Sequence, residues 1–123
     1  MGMDQYLRAG IRGEDGNVSS VITLQQLRKD YEVDKAFVTI AKELSSDYKV
    51  YGSGGNVWAR SATFEPSTLL AALQESRDLL HGDGEPSTEL QHAVRTLYWL
   101  PAIWSQLSEC IAAGWVVTYS MDC

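Results

Sequence analysis

The sequence predicts a single α+β domain in which β-hairpins and a short C-terminal strand pack on three or four helices. Three features carry that prediction. Two glycine-rich turn clusters sit between β-prone segments, several stretches repeat apolar residues at helical spacing, and an aromatic, β-branched run follows Gly114. A chain of 123 residues has the length of one domain and can build a core without disulfides. Its 45% hydrophobic and 21% charged content is that of a folded protein rather than a disordered one.

Taken in order, residues 3–12 and 18–22 read as short strands around the turn Gly13-Glu14-Asp15-Gly16-Asn17. The first of them fits a short helix equally well, because its alternation is imperfect. Thr23-Leu24-Gln25-Gln26 has the form of a capping box, which predicts a helix from Thr23 with Leu24, Leu27 and Tyr31 on its apolar face. Asp34 is expected to cap a further helical turn, after which Phe37, Ile40, Ala41 and Leu44 repeat at helical spacing.

Tyr48-Lys49-Val50-Tyr51 and Val57-Trp58-Ala59-Arg60 flank Gly52-Ser53-Gly54-Gly55-Asn56, the clearest hairpin pattern in the chain. Pro66 suits the first turn of a helix whose buried side carries Leu69, Leu70, Leu73 and Leu80, with Gly82 ending it. A last helix is expected from about Ser87, with Leu90, Val94, Leu97, Ile103, Trp104, Leu107 and Ile111 inward. Pro101 must kink or split it, since it removes a donor and crowds the preceding turn. Gly114 is a natural stop, and residues 115–119 read as a closing strand.

The apolar runs are too short to span a bilayer, and no basic segment followed by an apolar run opens the chain. A cytoplasmic protein without a membrane partner is therefore expected. Cys110 and Cys123 are expected to stay reduced, Cys110 as a small buried hydrophobe. With His81 and His92 they match no compact metal-ligand spacing, so no metal or other cofactor is expected. Asp122 and Cys123 read as a free tail.

The net charge of -6 is unevenly spread. Beyond residue 65, Arg77 and Arg95 face Glu75, Asp78, Asp83, Glu85, Glu89, Glu109 and Asp122. That excess disfavours nonspecific attraction to nucleic acid and favours basic partners. Catalytic motifs are not evident. The 52–56 glycines lead into a strand rather than a helix, unlike a phosphate loop, and Glu89 with His92 has the spacing of a solvated i,i+3 pair. The protein is not expected to be an enzyme.

Two resemblances bear on function. Residues 21–60 resemble the winged helix-turn-helix regulators of bacteria, with residues 23–31 as first helix, Glu32-Val33 as turn, residues 34–44 as recognition helix and the glycine hairpin as wing. The resemblance implies DNA contacts from Lys35, Thr39 and Lys42, with Arg60 supporting the wing. Arg28 and Glu32 depart from the small residue and glycine usual at those places, and residues 20–65 carry six charges of each sign and come out neutral.

The opening Met1-Gly2-Met3-Asp4-Gln5-Tyr6-Leu7 resembles that of a group of small uncharacterised bacteriophage proteins, which commonly begin Met-Gly-Leu-Asp-Met-Tyr-Leu. The later layout is similar: a glycine hairpin, a Leu-rich helix, a second helix and a short aromatic strand. The group's Tyr-Trp-Arg-Lys segment and the His- and Trp-Phe-bearing helix after it are missing, and residues 37–44 stand there instead. The resemblance implies neither catalytic residues nor a cofactor.

The favoured expectation is a small acidic accessory protein of phage type, active in the host cytoplasm. It would bind a host protein or nucleoprotein complex, as an anti-CRISPR-like inhibitor of host defence would, and is compatible with a homodimer. The alternative is a winged-helix DNA-binding regulator. The expected partner contact is Glu75, Asp78, Asp83, Glu85 and Glu89, which fall within one helix end, loop and helix start.

Overall fold

Two hairpins and a late strand build one antiparallel sheet, and four helices cover one of its faces. The structure, a computed structural model, describes residues 3–45, 47–81, 88–97 and 103–123. The elements run β1 (Asp4–Arg12), β2 (Val18–Arg28), α1 (Tyr31–Leu44), β3 (Asp47–Ser53), β4 (Asn56–Phe64), α2 (Pro66–His81), α3 (Glu89–Leu97), α4 (Ile103–Ala113) and β5 (Val116–Asp122). The strand order is β2-β1-β5-β4-β3. The predicted α+β class holds, and residues 3–12 are strand rather than helix.

The first hairpin turns where the glycines predict. Gly13 N donates to Asn17 O at 2.7 Å, and Asp15 Oδ1 accepts from Asn17 N at 3.0 Å. β2 then continues well past residue 22, so the helix expected from Thr23 does not form. The consecutive β-branched residues Val21, Ile22 and Thr23 lose side-chain freedom in a helix and fit a strand. Pairing with β1 extends to Asp4 opposite Arg28. The first helix starts at Tyr31 instead. Its N-cap is Asp30, whose carboxylate accepts from Val33 N at 3.1 Å, and Asp34 lies inside the first turn as a buried residue. Tyr31 is exposed rather than part of an apolar face.

This also corrects the winged helix-turn-helix layout. Residues 21–60 contain the end of a strand, one helix and a hairpin, so the two-helix unit is absent. Lys35, Thr39 and Lys42 lie on a helix without a partner helix before it, and Arg60 turns inward.

In the second hairpin, β3 and β4 extend further into the glycine cluster than expected. Only Gly54 and Gly55 form the turn, with φ of 59° and 84° between the paired Ser53 and Asn56. Two successive positive φ values match the right-handed twist of the flanking strands. Gly52 is a strand residue beside a bulge.

β5 does not close an edge but fills the centre, between β1 and β4. Its inward residues align with both neighbours: Leu7, Tyr119 and Ala62 in one row, Ala9, Val117 and Phe64 in the next. Asp122 pairs within the sheet, and Cys123 N donates to Trp58 O at 2.8 Å, so the expected free tail is pinned.

The core on that face gathers Phe37 and Ile40 of α1, Leu69 and Leu73 of α2, Val94 and Leu97 of α3, and Leu107 and Cys110 of α4. α3 packs chiefly on α1 and α2. The region expected as one interrupted helix is two, with Pro101 outside the described residues, as are the side chains of Ile103, Trp104 and Leu80. Ile111 is exposed, contrary to expectation, because Cys110 takes the inward place in the last turn. Gly114, at φ 74°, ends α4 as predicted. No helix among the described residues is long and apolar enough to cross a membrane.

Candidate functional site on the helical layer

α3 is the centre of the acidic surface, and its start is fixed locally. Thr88 Oγ1 accepts from Gln91 N at 3.1 Å while Gln91 Oε1 accepts from Thr88 N at 3.3 Å, a reciprocal capping box. Ala93, Val94 and Leu97 bury one side of the helix, which leaves Glu89 and His92 in solvent. On α2, Leu69, Leu73 and Ser76 turn inward, and Glu75 and Asp78 outward.

Two grooves, each of about 340 Å³, flank α3. The first lies against α1 and is lined by Glu32, Lys35, Thr39, Glu89, His92 and Thr96. The second lies between α1, α2 and α3, with Glu43, Glu75, Thr88, Leu90, Gln91 and Val94 on its walls. Lys35 is the one lysine or arginine lining either groove, among the described residues.

The structure therefore divides the expected contact residues. Glu89 faces the first groove and Glu75 the second, on opposite sides of α3. Asp78 lines neither and lies beside Arg77, with Nε at 3.8 Å from its carboxylate. Asp83 and Glu85 lie outside the described residues. Glu32 and Glu43 of α1 join the surface although sequence reasoning omitted them, because α1 is far from α2 and α3 in the chain. Their signal was only their place on the polar side of an amphipathic helix.

Polar chemistry of a different kind lies under α1. Asp34 Oδ1 accepts from the Tyr119 hydroxyl at 2.7 Å, and its other oxygen forms an ion pair with Arg60 Nη1. The Tyr119 oxygen in turn accepts from Gln5 Nε2 at 3.1 Å. Gln5 also brackets the Asp30 peptide, donating to Asp30 O at 2.9 Å and accepting from Asp30 N at 2.8 Å. The Tyr119 ring stacks on Phe37 with centroids 4.1 Å apart.

Burial pushes the Tyr119 phenol above its ordinary range, and the bond to Asp34 and the Asp34 charge push the same way. Gln5 and Arg60 oppose them. Gln5 and Tyr119 are sealed from solvent. This network fixes the start of α1 to β1, β4 and β5. Sequence reasoning missed it. A signal existed, since Asp34 is in helical phase with Phe37 and Ala41, and Arg60 shares strand parity with Ala62 and Phe64. Charges on two inward faces require each other.

Among the described residues, no group of three or more His, Cys, Asp or Glu side chains is placed to hold a metal. Cys110 is buried in α4 and Cys123 is exposed beyond β5, its Sγ 3.5 Å from Met121 Sδ. No known protein family, curated protein or solved structure matches the chain.

Proposed function

We propose that the protein is a small accessory protein of phage type that binds a basic surface on a host protein or nucleoprotein complex through its helical layer. Inhibition of a host defence complex is the biological form of that activity. The observation that carries this reading is the array of exposed carboxylates, Glu32, Glu43, Glu75 and Glu89, around two open grooves beside α3. Such an array favours a cationic counterpart, speeds its encounter and repels nucleic acid. The partner would be a surface that itself ordinarily meets nucleic acid.

The test is affinity capture from bacterial host extract, comparing the native protein with a variant carrying Glu32→Lys, Glu43→Lys, Glu75→Lys and Glu89→Lys. The native protein should retain a basic partner that the variant loses, at nearly unchanged melting temperature. Equal capture by both would remove the acidic surface from the mechanism. Expression in cells with an active defence system, scored by phage plating, then tests the inhibitory role directly.

A further inference from the structure

The two edges of the sheet differ in a way that singles out β2. At one edge, β3 runs seven residues and carries Asp47 and Lys49, charges that discourage a further strand, beside the half-exposed Val50 and Tyr51. At the other, β2 runs eleven residues, and from Val18 to Leu27 it bears no charge at all. Val21 and Ile22 stand near its middle, 50% and 47% exposed, and Ile11 on the adjacent strand is 52% exposed. Among the described residues, no strand pairs with the outer side of β2.

The charges lie at its two ends, with opposite sign. The turn before β2 holds Glu14 and Asp15, the latter fixed by Asn17 N and Nδ2. Arg28 and Lys29 end the strand, and Arg28 is engaged within the chain only loosely, at 3.9 Å from Asp4. Roughly 35 Å of strand separates the two ends, so they cannot meet within one molecule.

We infer that β2 is a self-complementary interface at which a second copy of this chain pairs antiparallel, edge to edge. A two-fold axis at Ile22 brings the Glu14-Asp15 turn of each copy to the Arg28-Lys29 end of the other, and places the exposed Val21 and Ile22 of both at the centre. Antiparallel pairing about a two-fold uses one patch twice and closes the assembly at two copies. The β1–β2 ladder shifts register twice, between Leu7 and Arg8 and between Ala9 and Gly10. The extra residues are Val21 and Leu24 of β2, which flank Ile22, so the strand bends there and the regular ladder at the centre is short. The end charges consequently carry much of the selectivity, and the association is concentration- and salt-dependent.

Light scattering coupled to gel filtration, over a concentration series, reads the outcome. The mass should climb from 13.6 kDa towards twice that value. Val21→Lys with Ile22→Lys should raise the dissociation constant about tenfold or more, since a central like-charge cluster opposes pairing. Arg28→Glu with Lys29→Glu should also weaken the dimer, and adding Glu14→Lys with Asp15→Lys to that variant should restore it. Melting curves at low concentration establish that each variant is folded. A monomer throughout the series, a dimer indifferent to the Val21 and Ile22 substitutions, or a charge swap that fails to restore association would each overturn the assignment.

Discussion

Tyr119 donates its phenolic proton to Asp34 at 2.7 Å, tying the central strand to the first turn of α1 across 85 residues of sequence. The carboxylate is held from its other side by Arg60, whose side chain is 19% exposed against 11% for Asp34. A buried pair of this kind costs most when one partner is removed, because the other stays behind uncompensated. Tyr119→Phe should destabilise the fold by about 1–3 kcal/mol, since Asp34 and Gln5 each lose a partner. Asp34→Ala should cost about 3 kcal/mol or more by stranding Arg60. The double variant should lose less than the sum, because both changes break one network. Urea unfolding measures all three, and strict additivity would dissolve the network into independent contacts.

The same phenol sets a pH dependence at the alkaline end. Its folded-state pKa is raised, chiefly by burial, whereas an unfolded tyrosine ionises near pH 10. The folded state therefore keeps a proton that the unfolded chain releases. The contribution is fully present below about pH 10 and declines as the pH climbs beyond it. Unfolding free energies measured upward from pH 8 should fall above about pH 10, and Tyr119→Phe should flatten that fall. A native profile as flat as that of the variant would contradict the assignment.

The contrast between two similar tetrapeptides explains how far the sequence could be read. Thr23-Leu24-Gln25-Gln26 and Thr88-Glu89-Leu90-Gln91 both have the form of a capping box. Only the second starts a helix, with both reciprocal bonds made. The first lies in β2, where β-branched neighbours and the nearby β1 outweigh a local cap worth about 1 kcal/mol. Hairpins, the α2 start at Pro66 and the stop at Gly114 were legible because each rests on a local rule. The central place of β5 was not, since it depends on pairings with β1 and β4 that no local window contains. The acidic surface around the grooves was half legible for the same reason. Glu75 and Glu89 are near neighbours in sequence, whereas Glu32 and Glu43 reach the grooves only through tertiary packing.

Gly52 shows a residue whose type was legible and whose reason was not. The turn itself uses Gly54 and Gly55, while Gly52 sits beside the β3–β4 bulge, where an added Cβ would come within 2.0 Å of Asn56 O. The obstacle is backbone, so relief requires the hairpin to shift. Gly52→Ala should cost about 1–3 kcal/mol, the usual range for forced overpacking. A melting temperature within error of the native value would show that the hairpin yields freely there.

The two thiols should behave as opposites. Cys110 is 1% exposed, and burial, reinforced by the charge of Glu109, raises its pKa and so withholds the reactive thiolate. Cys123 is exposed at the end of the chain. Titration with a chromogenic disulfide reagent should give one rapid equivalent from Cys123 and a second about a hundredfold slower or more, appearing as the core opens. Cys123→Ser should remove the rapid phase alone. Melting curves with chelator or reductant should superimpose on the untreated one, because a structural zinc or native disulfide would contribute roughly 2 kcal/mol or more. Two rapid equivalents from the folded protein would mean that α4 opens readily. A large loss of stability with chelator would show that a metal supports the fold.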